Sequence, residues 1–220
     1  MNPQSGSQEA LVLSYLELRK AVGIIGLTLP FVLALGKIFL GSSGIQPTIS
    51  DYYETHMRDV FVGSLCAIGV FLMSYRYGRV DRIAGRLACV FAIGVALFPT
   101  GSAIRAIHSL HLWCAGLLFL TLAYFSLGLF TKTGGSKEQR TRQKIQRNRF
   151  YYVCGYTILA CIAGLVCIFL LGVDDRYKPR FWLESIAIIA FGVSWLIKGE
   201  TILKDEKSEK YLTTTSGAAI

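Results

Sequence analysis

The sequence predicts an all-α polytopic membrane protein with six transmembrane helices and both termini in the cytoplasm. Three observations carry that prediction. Apolar residues fill 53% of the 220 positions, charged residues only 17%, and mean hydropathy is +0.47. A soluble domain of this length needs more charge to wet the outer faces of its helices. The apolar residues are gathered into runs near bilayer-spanning length, separated by short polar connections. The basic residues, finally, are shared very unequally between alternate connections, and that inequality sets orientation.

The predicted spans are residues 21–40, 60–75, 83–99, 107–130, 150–173 and 181–197, all within one six-helix domain over 1–200. A polar cytoplasmic tail over 201–220 follows. The segment before the first span is polar and mixed in charge, unlike a cleavable signal peptide. Residues 11–20 read as an extension of the first helix or a short amphipathic lead-in. Pro30 removes one helical hydrogen bond and is expected to kink that helix. The second and third spans are short, and Arg86 in the third is expected to snorkel toward an interface. Gly63, Gly69, Gly94, Gly116 and Gly192 are expected to let helices pack closely. All six cysteines lie inside apolar segments without disulfide or zinc-finger spacing, so they read as small packing residues.

The net charge of +9 is explained by position rather than by nucleic-acid binding. Seven basic residues, Lys132, Lys137, Arg140, Arg142, Lys144, Arg147 and Arg149, occupy the fourth-to-fifth connection. They lack the interleaved aromatics and folded carrier of a nucleic-acid groove, and suit anionic lipid headgroups instead. With Arg19, Lys20, Arg76, Arg79, Arg82, Arg86 and the lysines from Lys198 onward, seventeen basic residues fall on one side. Five fall on the other: Arg58, Arg105, Arg176, Lys178 and Arg180. The heavier side is the cytoplasmic one.

The outward connections then hold most of the titratable chemistry, including all three histidines. His108 and His111 share a helix face, Asp59 opens the second span, and Glu184 sits a turn into the sixth. A carboxylate at that depth needs a partner, for which Arg58, Arg105, Arg180 and the histidines are candidates. If these ends converge, they form an outward-opening polar pocket. The leading functional expectation is binding, with or without modification, of a lipid or lipid-linked headgroup by Asp51, Arg58, Asp59, His108 and Glu184. Arginines grip phosphate or carboxylate in a forked geometry, and Tyr52, Tyr53, Trp113, Tyr177 and Trp182 suit the interface. One alternative is a zinc-dependent hydrolase with His56, His108, His111 and Asp59 as ligands. Another is a non-enzymatic scaffold whose outer loop recognises a partner protein. Transport ranks lower, because the middles of the spans are nearly free of polar groups.

Residues 45–63 carry a resemblance. Pro47-x-Ile49-Ser50-Asp51, followed by Val62-Gly63 at the next helix, resembles the first outer loop of the damage-regulated autophagy modulator family. That six-helix family is grouped with relatives involved in GPI-anchor lipid remodelling and with an uncharacterised prokaryotic branch. The histidine and apolar run of "IHSLHLWCAGLLF" and the acid of "ESIAIIAFG" are similar to the family's later helices. "SDYYETHMRD" departs from the eukaryotic continuation and points to the prokaryotic branch, hence to a plasma-membrane location. The resemblance implies a six-span fold, an outer-loop site and a lipid-linked role.

Overall fold

A computed structural model of the chain describes residues 3–41, 44–75, 78–132 and 142–199, with the side chains of 3–15 and of Arg142 outside the description. The expected tail at 201–220, the middle of the fourth connection with Lys137 and Arg140, and Arg76 also lie outside the described residues. Within them all regular structure is helical. Six α-helices follow in order: α1 Pro3–Phe39, α2 Arg58–Met73, α3 Arg79–Leu97, α4 Arg105–Tyr124, α5 Arg142–Leu171 and α6 Pro179–Lys198. Four segments are long and apolar enough to cross a membrane: Leu16–Phe39, Arg105–Leu129, Gln143–Leu171 and Pro179–Lys198. The other two fall short for identifiable reasons. α2 has only 16 residues, and α3 carries Arg79, Asp81, Arg82 and Arg86 in its first turns.

The expected helices are all present, with shifted ends. α1 absorbs residues 11–20 and runs through Pro30 as one helix. α5 begins at Arg142 rather than at 150, because its basic residues are good helix formers and charge alone does not end a helix. α4 continues into a five-residue π-helical turn, Phe125–Leu129, closed by the Phe130 N–H donating to the Phe125 carbonyl at 2.9 Å. The wider turn brings Phe125, Ser126, Leu129 and Phe130 onto one buried face.

Each helix packs on its neighbours in sequence, and α6 closes the ring on α1. α1 and α6 are antiparallel: Arg19 donates to the Lys198 carbonyl at one end, and Ile49, just beyond α1, reaches Glu184 at the other. Their seam is built of glycines. A Cβ on Gly192 would stand 2.8 Å from the Gly23 carbonyl oxygen, and one on Gly26 would stand 3.3 Å from the Gly192 Cα. α2 and α3 meet in the same manner, through Gly69 and a run of fully buried alanines one turn apart, Ala84, Ala88, Ala92 and Ala96. Small residues let helix backbones approach where lipid supplies no hydrophobic drive to associate. The glycine expectation needs one correction, since a Cβ on Gly63 or Gly116 would meet open space.

Between these seams sits an aromatic core around Trp195, whose ring lies 5.1 Å from Phe130, 5.5 Å from Tyr75, 5.7 Å from Phe125 and 6.0 Å from Phe191. The edge-to-face angles among them are those that aromatic quadrupoles prefer. The Arg19 guanidinium lies 5.9 Å over the Tyr75 ring. This core lies at the basic end of the bundle. The opposite end is held by hydrogen bonds.

Candidate functional site

The connection from α1 to α2 folds back over the end of the bundle opposite the basic one. Its local shape is written in Thr48-Ile49-Ser50-Asp51. The Thr48 hydroxyl accepts from the Asp51 N–H at 3.0 Å, and Asp51 Oδ2 accepts from the Thr48 N–H at 3.1 Å. This reciprocal arrangement is a capping box, and it starts the short 3-10 helix Ser50–Glu54. Thr48→Val should remove one half of the box and lower thermal stability by about 1 kcal/mol. A melting curve identical to the wild type would show that the box is ornamental.

Two further connections are tied to this loop. Asp51 Oδ1 accepts from the Thr100 hydroxyl at 3.1 Å, and the Thr100 carbonyl faces His108 Nδ1 at 2.8 Å. One turn on, His111 Nδ1 lies 2.6 Å from the Phe98 carbonyl. A carbonyl only accepts, so both rings carry their proton on Nδ1 in these contacts. From the other side Glu184 Oε2 accepts from the Ile49 N–H at 2.6 Å, and the Phe181 N–H donates to the Pro47 carbonyl at 2.9 Å. The Lys178 ammonium reaches the Ile45 carbonyl. Lys178 itself adopts a left-handed backbone (φ 51°) at the cap of α6, a strained conformation for a non-glycine residue. Tyr52 is enclosed by this network, and burial pushes its phenol up, so it stays neutral.

Asp51, His108 and Glu184 are linked through the same loop, from three connections, and each is turned to a different task. Glu184 is partnered by a backbone N–H rather than by an arginine, and it fastens the loop. Asp51 and the histidines hold the first loop to the second. The polar groups fill the end of the bundle instead of framing an open pocket. Beneath them remains a cavity of about 50 Å³, lined by Glu184 and Ser50 above and by Leu29, Phe61 and Phe191 below. That volume suits a few waters, not a headgroup.

Arg58 and Asp59 stand apart, exposed in the first turn of α2. The Arg58 guanidinium lies 4.3 Å over the Tyr53 ring and donates through Nη2 to the Tyr53 hydroxyl at 2.5 Å. Asp59 sits where its charge favours the helix N-terminus. The three-arginine grip is not formed, because Arg180 pairs with Asp175 and Arg105 is exposed at the start of α4. The alternative zinc set is a second correction. His56 is exposed in the turn before α2, away from the buried His111, and the described residues hold no group of three or more metal-ligating side chains.

The chain matches no protein-family profile, no curated protein and no solved structure. The site is thus defined by its own geometry. Two residues that sequence reasoning passed over matter most in it. Thr48 was legible in the Thr-x-x-Asp spacing of a capping box, whereas Thr100 carries no such local signal.

Proposed function

We propose that the chain is a six-span membrane protein with both termini cytoplasmic, whose outer rim binds the anionic headgroup of a lipid or lipid-linked molecule. The observation that carries the reading is Arg58, held over the Tyr53 ring at the exposed edge of a loop fastened by Asp51 and Glu184. A guanidinium stacked on an aromatic face loses little freedom when it binds, and keeps further N–H donors for a forked contact with phosphate or carboxylate. The excess of basic residues on the opposite side supports the orientation. On this reading the chain is a divergent relative of the six-helix family resembled by Pro47, Ile49, Ser50 and Asp51. It acts in a prokaryotic plasma membrane.

Native mass spectrometry of protein extracted in mild detergent tests the proposal. The wild type should retain an anionic lipid or lipid-linked species, and Arg58→Ala should retain roughly tenfold less, as expected for loss of a charge-assisted hydrogen bond. Tyr53→Phe, which keeps the ring and removes the hydroxyl, should have a smaller effect. An unchanged lipid profile in Arg58→Ala would sink the anion contact.

A further inference from the structure

A second surface, at the basic end and unrelated to the outer loop, has the form of a lipid site. Along the flank of α5, beside the end of the π-turn helix, runs a laterally open groove of about 770 Å³. Thr131, Asn148 and Arg149 line one end, and Tyr152, Tyr156, Thr157 and Ala160 are among the residues that line the rest. Arg149 to Ala160 spans about 16 Å of helix, so the groove runs from headgroup depth toward the hydrocarbon. Tyr152 and Tyr156, one turn apart, are stacked with centroids 6.4 Å apart and both face outward. The charged side chain of the lining, Arg149, thus stands toward one end of the groove.

Charge defines the occupant. Lys144 and Arg147 flank the Arg149 end on the same helix, and together with Arg19 they act on Lys198 as like charges. Asp81, which also acts on Lys198, pairs with Lys132 at 3.1 Å. The Asn148 side-chain oxygen is buried without a hydrogen-bond partner among the described residues, although a buried polar atom is normally satisfied. A second copy of the chain would not suit the groove. Two copies sharing one orientation in a membrane would bring identical basic ends together.

We propose that this groove binds an anionic glycerophospholipid of the leaflet at the basic end. Arg149 holds the phosphate, a headgroup hydroxyl donates toward Asn148, and an acyl chain lies along Tyr152, Tyr156 and Ala160. The site stands or falls independently of the outer rim.

The experiment is native mass spectrometry with thermal unfolding of the full chain in detergent, titrated separately with phosphatidylglycerol, phosphatidylcholine and inorganic phosphate. Phosphatidylglycerol should be retained in preference to phosphatidylcholine and should raise the melting temperature. Arg149→Ala should weaken it about fivefold, the value of one basic residue at an anionic surface. Ala160→Trp, on a lipid-facing position that tolerates bulk, should block the chain end and reduce retention further. Arg105→Ala, a charge-matched change outside both proposed sites, should leave phosphatidylglycerol retention at the wild-type level. Equal retention of the two lipids, or no change in both groove variants, would overturn the proposal. So would an equal stabilisation by inorganic phosphate, which would assign the cations to a soluble anion. A lipid-free dimer lost in Ala160→Trp would assign the groove to a second copy.

Discussion

Gly192→Ala should be among the most damaging single-methyl changes in this protein, lowering stability by about 3 kcal/mol. The new Cβ would stand 2.8 Å from the Gly23 carbonyl oxygen and closer still to the Leu27 backbone nitrogen. Those neighbours are main-chain atoms of α1, which cannot swing aside as a flexible side chain can. The two helices must separate along the whole seam, and Gly26 and Leu196 lose their contacts with it. Gly63→Ala and Gly116→Ala provide the controls, since each Cβ would enter open space. They should be neutral or stabilising by up to about 1 kcal/mol, the helix propensity gained. Thermal unfolding of all three variants in the same detergent makes the comparison. If Gly192→Ala melts with the controls, the seam is looser than described.

Glu184→Ala is the second large effect expected, at about 1–3 kcal/mol, because the Ile49 N–H loses its acceptor in a place shielded from water. Glu184→Gln keeps an oxygen at that point and should retain most of the stability. The discriminating measurement is hydrogen exchange over residues 45–55. Exchange should accelerate there in the alanine variant, while the α1–α6 seam near Gly26 stays protected. Uniform acceleration across the bundle would mean that Glu184 supports the whole fold rather than the loop. A Gln variant as damaged as Ala would show that its charge matters more than the hydrogen bond.

The helical architecture was largely legible in the sequence, because apolar runs of spanning length have few other uses. Ends were less so. The start of α5 at Arg142 was hidden because the bilayer boundary and the helix boundary are different things, and the second lies among charged residues. The π-helical turn at Phe125–Leu129 had no mark in the sequence at all, since it answers to the packing of Phe125 and Phe130 against Trp195. In the candidate site, Glu184 stood out as an acid on an apolar helix and proved to face inward. Its partner was invisible, being the backbone N–H of Ile49, and backbone groups have no letter. The zinc set failed for a related reason. His56 has the right chemistry, but loop geometry placed it in solvent.

The closing of the ring by α6 on α1 bears on how the protein is made. The glycine face of α1 is synthesised about 170 residues before its partner on α6. At ordinary rates of synthesis that interval is on the order of ten to thirty seconds. Throughout it Gly23 and Gly26 expose a narrow backbone surface on which any other small-residue helix could settle. The first connection is in a similar position, because the Ile49 N–H waits for Glu184 over 135 residues of chain. The arrival of α6 therefore seats the central seam and fastens the first connection in one event.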